Sequence, residues 1–150
     1  TGAAITAQIG TMKVTEEIDA IRTLGLSPFA VLVIPRILAL VIAMPLLVFL
    51  GNIAGVLGGM VVAKEQLDLS FHMFLDRTAD VLLLKTLLVG LGKAPVFAVF
   101  IALIACRMGL AVTRDARSVG ANTTSTVVQS LVAIILLNAL FAVIFVRLEI

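Results

Sequence analysis

The sequence predicts an all-α, polytopic membrane protein with one short amphipathic helix held outside the bilayer. Three observations lead to that class. Hydrophobic residues make up 61% of the 150 residues and charged residues only 13%, with a mean hydropathy of +1.22. An average soluble domain is about 45–50% apolar and about 25% charged. Ile37 to Ala63 is a run of 27 residues without a charge, and about 20 helical residues cross a bilayer core. Between such runs lies GTMKVTEEIDAIRTLGLSP, Gly10 to Pro28, whose Glu16, Glu17, Asp19 and Arg22 are too costly to bury in hydrocarbon.

From the N-terminus, Thr1 and the small, uncharged TGAAITAQIG read as the tail of a span that begins upstream, so the chain is expected to be a fragment. The basic and apolar regions of a cleavable signal peptide are absent. The charged segment carries Val14, Ile18 and Ile21 at the i, i+4, i+7 spacing of one helix face, which predicts a short amphipathic helix over residues 11–24. The first full span is expected at 37–63, with Pro45 as a kink point. Residues 64–80 are polar again and form an interfacial turn. Ser70 caps a short helix there, with Phe71, Phe74 and Leu75 at helical spacing.

A second span is expected at 81–106, with Lys85 and Lys93 inside it. Residues 107–126 read as a polar loop, with Asn122 to Thr126 supplying N-caps for a last span at 127–146. Asn138 is polar in the middle of that span. Six Lys and Arg residues (Lys13, Arg22, Arg36, Arg107, Arg114 and Arg117) fall on the side of the 10–28 and 107–126 segments, and three (Lys64, Arg77 and Arg147) on the other. The excess of positive charge places 10–28 and 107–126 in the cytoplasm, and 64–80 and the C-terminus outside.

Few residues invite chemistry. Glu16, Glu17 and Asp19 have no nearby His, and neighbouring helical positions diverge, so they read as a solvated face or a contact for a cytoplasmic protein partner. Gly90-Leu-Gly-Lys93 lacks the spacing and the Ser or Thr of a phosphate loop, so any ATP use belongs to a partner. One cysteine, Cys106, excludes an internal disulfide and a cysteine metal site; no metal is expected. The basic residues form no run and lack stacking aromatics, which argues against nucleic acid. Gly51, Gly55 and Gly59 make two overlapping GxxxG repeats, read as close helix packing. Lys93 either meets an anionic group or a relay within the membrane, or snorkels to an interface from a helix that starts near Gly92. Asn138 is interhelical glue or pathway lining.

The run ITAQIGTMKVTEEIDAIRTLGLSPFAVLVIPR resembles the signature stretch of the MlaE/YrbE family of ABC transporter permeases. KAPVF at Lys93–Phe97, IALIACRMGL after it and VGANTTSTVVQS at Val119–Ser130 match in order. The resemblance implies a single permease transmembrane domain over residues 1–150, without catalysis of its own, in the bacterial inner membrane. It implies a homodimer, a cytoplasmic ATPase subunit that binds ATP and Mg, and a periplasmic MCE-domain protein. The cargo would be phospholipids or related lipids moved between inner and outer membranes. Residues 11–24 would be the coupling helix, with Glu16, Glu17, Asp19 and Arg22 as polar contacts and Val14, Ile18 and Ile21 as the apolar seat. The last span would line the lipid cavity. Two readings from other classes stand beside it: a secondary transporter or channel that uses Lys93 as its ion site, and an interaction scaffold.

Overall fold

A computed structural model describes residues 1–81 and 84–149. Among them the regular elements are helical and no strand occurs. In chain order they are α1 (Gly2–Val14), α2 (Glu17–Thr23), a π-helical turn (Phe29–Val33), α3 (Ile34–Leu67), α4 (Phe71–Val81), α5 (Leu84–Leu110) and α6 (Ala116–Arg147). Among the described residues three stretches are long and apolar enough to cross a membrane: Phe29–Leu67, Leu84–Leu110 and Ala116–Arg147. Each contains most of an expected span and extends beyond it. The start of the expected 81–106 span includes residues 82 and 83, which lie outside the described residues. The chain forms two compact units, Thr1–Leu40 with Phe97–Ile150, and Val41–Val96.

In the first unit α1 lies against the C-terminal half of α5 and the start of α6. Contact is close because glycines stand where helices meet. A Cβ on Gly109 of α5 would lie 2.7 Å from Ile9 Cβ, and one on Gly10 would lie 2.9 Å from a Val112 methyl. Both distances are shorter than real Cβ contacts, so a side chain at Gly109 would push α1 from α5 and one at Gly10 would press on the turn after α5. Thr6 of α1 is fully buried in this seam. Its hydroxyl lies 3.0 Å from the Ala105 carbonyl of α5 and 2.7 Å from the Thr126 hydroxyl of α6. Thr126 also reaches the Asn122 carbonyl at 2.8 Å. Two hydroxyl protons can make only two of these three hydrogen bonds at once, and the hydroxyl pair is bonded in either of two proton arrangements. Ile9, Ile18, Leu32, Val33 and Cys106 form the buried cluster beside it.

Several sequence expectations need correction here. Residues 11–24 are two helices. The Thr15 hydroxyl bonds back to the Thr11 carbonyl at 3.1 Å, and Glu16 adopts a left-handed φ of 62°, so α1 ends and α2 starts on a new axis. The first membrane helix starts well before residue 37, through the π-helical turn at Phe29. Pro35 has no N–H for the Val31 carbonyl, and the π-helical turn lies just before it. The Arg36 guanidinium donates to the Leu32 carbonyl at 2.9 Å within it. The 107–126 segment is mostly helix: α5 runs to Leu110 and α6 starts at Ala116. Asp115 caps α6 by accepting from the Ser118 N–H at 2.6 Å. The Thr residues taken as cap candidates lie inside the helix, where Thr123 and Thr124 donate to the carbonyls four residues back.

The second unit holds the remainder of α3, α4 and the start of α5. α3 continues through Pro45 without interruption. Ser70 caps α4 as expected, its hydroxyl accepting from the Met73 N–H at 3.3 Å. Lys64 lies 4.4 Å over the Phe71 ring at the α3–α4 turn.

Two stability tests follow from the seam. Gly109→Val should destabilise the detergent-solubilised chain by about 1–3 kcal/mol, whereas Gly51→Ala should shift it by less than about 0.5 kcal/mol; equal thermal unfolding shifts would contradict the packing described. A double-mutant cycle of Thr6→Val and Thr126→Val should give a coupling near 0.6 kcal/mol. A coupling of zero would mean that the hydroxyl pair contributes nothing.

Candidate functional site

The polar end of the first unit is built from the end of α1, α2, residues 24–29 and the α5–α6 turn. Its short helix is closed at both ends. Glu16 starts it in the left-handed region, at a cost of about 1–2 kcal/mol for a non-glycine residue. Gly25 ends it with φ +76°, the conformation glycine adopts without strain. The Gly25 N–H donates to the Arg22 carbonyl and the Leu26 N–H to the Ile21 carbonyl, at 3.0 and 3.2 Å, the bond pair of a Schellman ending.

Arg114, in the α5–α6 turn, ties α2 to the rest of the unit. Its guanidinium lies 2.6 Å from Asp19 Oδ2 and 3.5 Å from Glu16 Oε1. Arg22 reaches the other Asp19 oxygen at 3.7 Å. These side chains are well exposed, so each pair contributes only about 0.2–1 kcal/mol. Their consequence is geometric: Asp19 and Glu16 both point at one residue 95 or more positions away, which sets the rotation of α2. Lys13 adds a second tie by donating to the Leu110 carbonyl, one of the open acceptors at the end of α5. The turn itself is stiff, because Thr113 N–H donates to Ser118 Oγ at 3.0 Å and Thr113 Oγ1 to Asp115 Oδ2 at 3.1 Å.

The expected apolar seat is corrected by this geometry. Ile18 is 3% exposed and belongs to the chain's own core, with Ile21 packed against that core. Val14 is half-buried at the end of α1. The stripe thus has an intramolecular partner. The face of α2 that remains open carries Glu17, Ala20, Thr23 and Leu24, with Glu16 beside them; Leu24 is 74% exposed. Of the polar contacts expected, Glu16, Glu17 and Arg22 are exposed, and Asp19 is turned toward Arg114. Nothing local in the sequence marks Lys13 and Arg114 as ties, since their partners lie 97 and 95 residues away. The D-x-x-S spacing of Asp115 and Ser118 was the available signal for where the turn ends.

Other predicted residues lie apart from this site. Gly51 and Gly55 seat no neighbouring helix: a Cβ on either would meet nothing within 4 Å among the described residues, and one on Gly59 would touch the Phe74 ring at 3.5 Å. They help line an apolar groove of about 970 Å³, bordered by Val48, Phe74 and Arg77. Lys93 is half-buried in α5. It lies nine residues beyond the start of that helix, which removes the reading in which the helix begins near Gly92. Asn138 is exposed on α6. No group of three or more His, Cys, Asp or Glu that could hold a metal occurs among the described residues.

The family model for the permease MlaE matches residues 1–144. A probable ABC transporter permease protein of Rickettsia typhi is 42% identical over 139 residues, 93% of this chain and 54% of that protein. A probable ABC transporter permease protein of Synechocystis is 39% identical over 137 residues, 91% of this chain and 52% of its own. The chloroplastic protein trigalactosyldiacylglycerol 1 of Arabidopsis thaliana is 33% identical over 133 residues, 89% of this chain and 38% of its own. The chain spans about half the length of the two bacterial relatives. A match that runs through α1, α2 and all three membrane-crossing helices establishes that this chain belongs to the MlaE permease family.

Proposed function

We propose that this chain is the membrane-spanning part of an ABC transporter that moves phospholipids or related lipids between inner and outer membranes. In this reading ATP and Mg are bound by a separate cytoplasmic ATPase subunit, and the chain itself has no catalytic role. A periplasmic MCE-domain protein receives or delivers the lipid, and a second copy of the permease completes the cavity. The carrying observation is the exposed face of α2, held at a fixed rotation by Arg114. A docked ATPase pressing on Glu17, Ala20 and Leu24 moves a helix already tied to the α5–α6 turn. The force then reaches α6, which starts two residues after Arg114.

Lipid as cargo is supported by α6. None of its most apolar 18-residue window is buried by this chain. Leu131, Ile135, Leu136 and Leu140 are all exposed, so lipid or a second copy must cover them. A relative named for a galactolipid points the same way. Lys93 and Asn138 are polar positions along the proposed pathway. The excess of positive charge on the α2 side supports a reading in which that end faces the cytoplasm of a bacterial inner membrane.

Charge reversal at Glu16 and Glu17 should cut co-purification of the ATPase by about tenfold or more, as loss of an interface hot spot does. Undiminished capture with lipid-stimulated ATP hydrolysis would refute docking on α2. Arg114→Gln should retain most ATPase capture while lipid movement per ATP hydrolysed falls severalfold in proteoliposomes. An unchanged ratio would show that the tie carries no force.

A further inference from the structure

Beside α2 lies a pocket of about 350 Å³, within the range of about 300–1,000 Å³ common for small-ligand sites. Lys13, Arg22, Arg114 and Ser27 line it, with Asp19 the one carboxylate among its lining residues. Even with Glu16 near Arg114 the group stays net positive. The existing pairs leave donors unused, because a guanidinium has five N–H groups and the Arg22 contact with Asp19 is long at 3.7 Å. Phe29 and Leu110 complete the wall. Phe29 begins one stretch long and apolar enough to cross a membrane and Leu110 ends another, so the pocket lies where the ends of two candidate spans meet. Leu26 and Phe29 nearby are more than half exposed. The surroundings thus combine cationic groups with exposed apolar side chains.

We propose that this pocket binds the phosphate of an anionic phospholipid headgroup in the adjacent leaflet, at a site separate from any transport pathway. The chemistry is that of interfacial basic pockets, in which Lys and Arg meet a headgroup while apolar residues enter the acyl region. An acidic side chain of a protein partner shares the charge but not the apolar rim at the bilayer boundary. The open face of α2, with Glu17 and Leu24, is distinct from the pocket-lining Asp19 and Arg22. The site stands whether or not the transport reading holds.

The test uses the permease without partner subunits, in nanodiscs of equimolar phosphatidylglycerol and phosphatidylcholine, with retained lipids counted by native mass spectrometry. Phosphatidylglycerol should be retained preferentially. Lys13→Gln and Arg22→Gln should each lower that preference about fivefold, the effect of one interfacial cation. Asp19→Asn should raise it, a change that simple loss of structure would not produce. Thermal unfolding of each variant separates misfolding from lost binding. An unchanged preference in the folded Lys13→Gln/Arg22→Gln double variant overturns the site. Displacement of the retained lipid by millimolar inorganic phosphate would identify a soluble phosphate site and overturn the lipid assignment. If the double variant weakens ATPase capture and leaves lipid retention untouched, the pocket serves the protein partner and the proposal fails.

Discussion

The approach of α1 to α5 at Ile9 and Gly109 is the constraint on which the first unit depends. Between helices in a membrane there is little hydrophobic driving force, since lipid is as apolar as the side chains. Close packing and shared hydrogen bonds must hold the helices instead. Gly109 removes the one Cβ that would stand in the way of Ile9. That proximity lets the Thr6 hydroxyl reach both the Ala105 carbonyl and Thr126, and so brings α6 into the same seam. Gly10 performs the same service at Val112, at the point where the chain turns from α5 into α6.

Once α1 is seated, the polar end follows. Lys13 is carried to the last turn of α5 and closes one of its carbonyls. The left-handed Glu16 turns the chain, so that Ile18 enters the core and Asp19 meets Arg114. The interactions in this tip are individually weak and solvent-screened, yet they converge from both sides of the turn. A short helix that would be marginal alone in water is thereby held by burial of Ile18 and Ile21 on one side and by ion pairs on the other. Its remaining face is left free for a partner.

The uncovered apolar surfaces have a different character. Much of α6 beyond Ser130 and the groove beside Gly51 and Gly55 are exposed in a single chain. Water would not tolerate so much contiguous apolar surface, whereas a bilayer or a second copy covers it at no cost. The GxxxG spacing was legible in the sequence, but which glycines meet a helix was not. Contact depends on the azimuth of each helix, and that is set by residues far away in the chain. Arg114 and Lys13 were equally invisible as ties, because their partners lie 95 and 97 residues distant.

Composition and periodicity alone determined that the chain is helical, that it crosses a membrane, and that the charges of Glu16, Glu17, Asp19 and Arg22 are costly to place in hydrocarbon. Those properties follow from local transfer energies, which need no knowledge of neighbours. The Ser70 cap of α4 was legible for the same reason, since its donor and acceptor are three residues apart. Tertiary structure decided the fate of the apolar stripe on α2. Spacing showed that Val14, Ile18 and Ile21 share a face, and an external partner appeared necessary. Folding instead buries Ile18 against Ile9, Leu32 and Cys106, because α1 seated at Gly109 brings a partner from within. Within the polar 116–126 segment the Asp115 cap is as local as that of Ser70, whereas the pairing of Thr126 with Thr6, 120 residues away, was decided by tertiary structure.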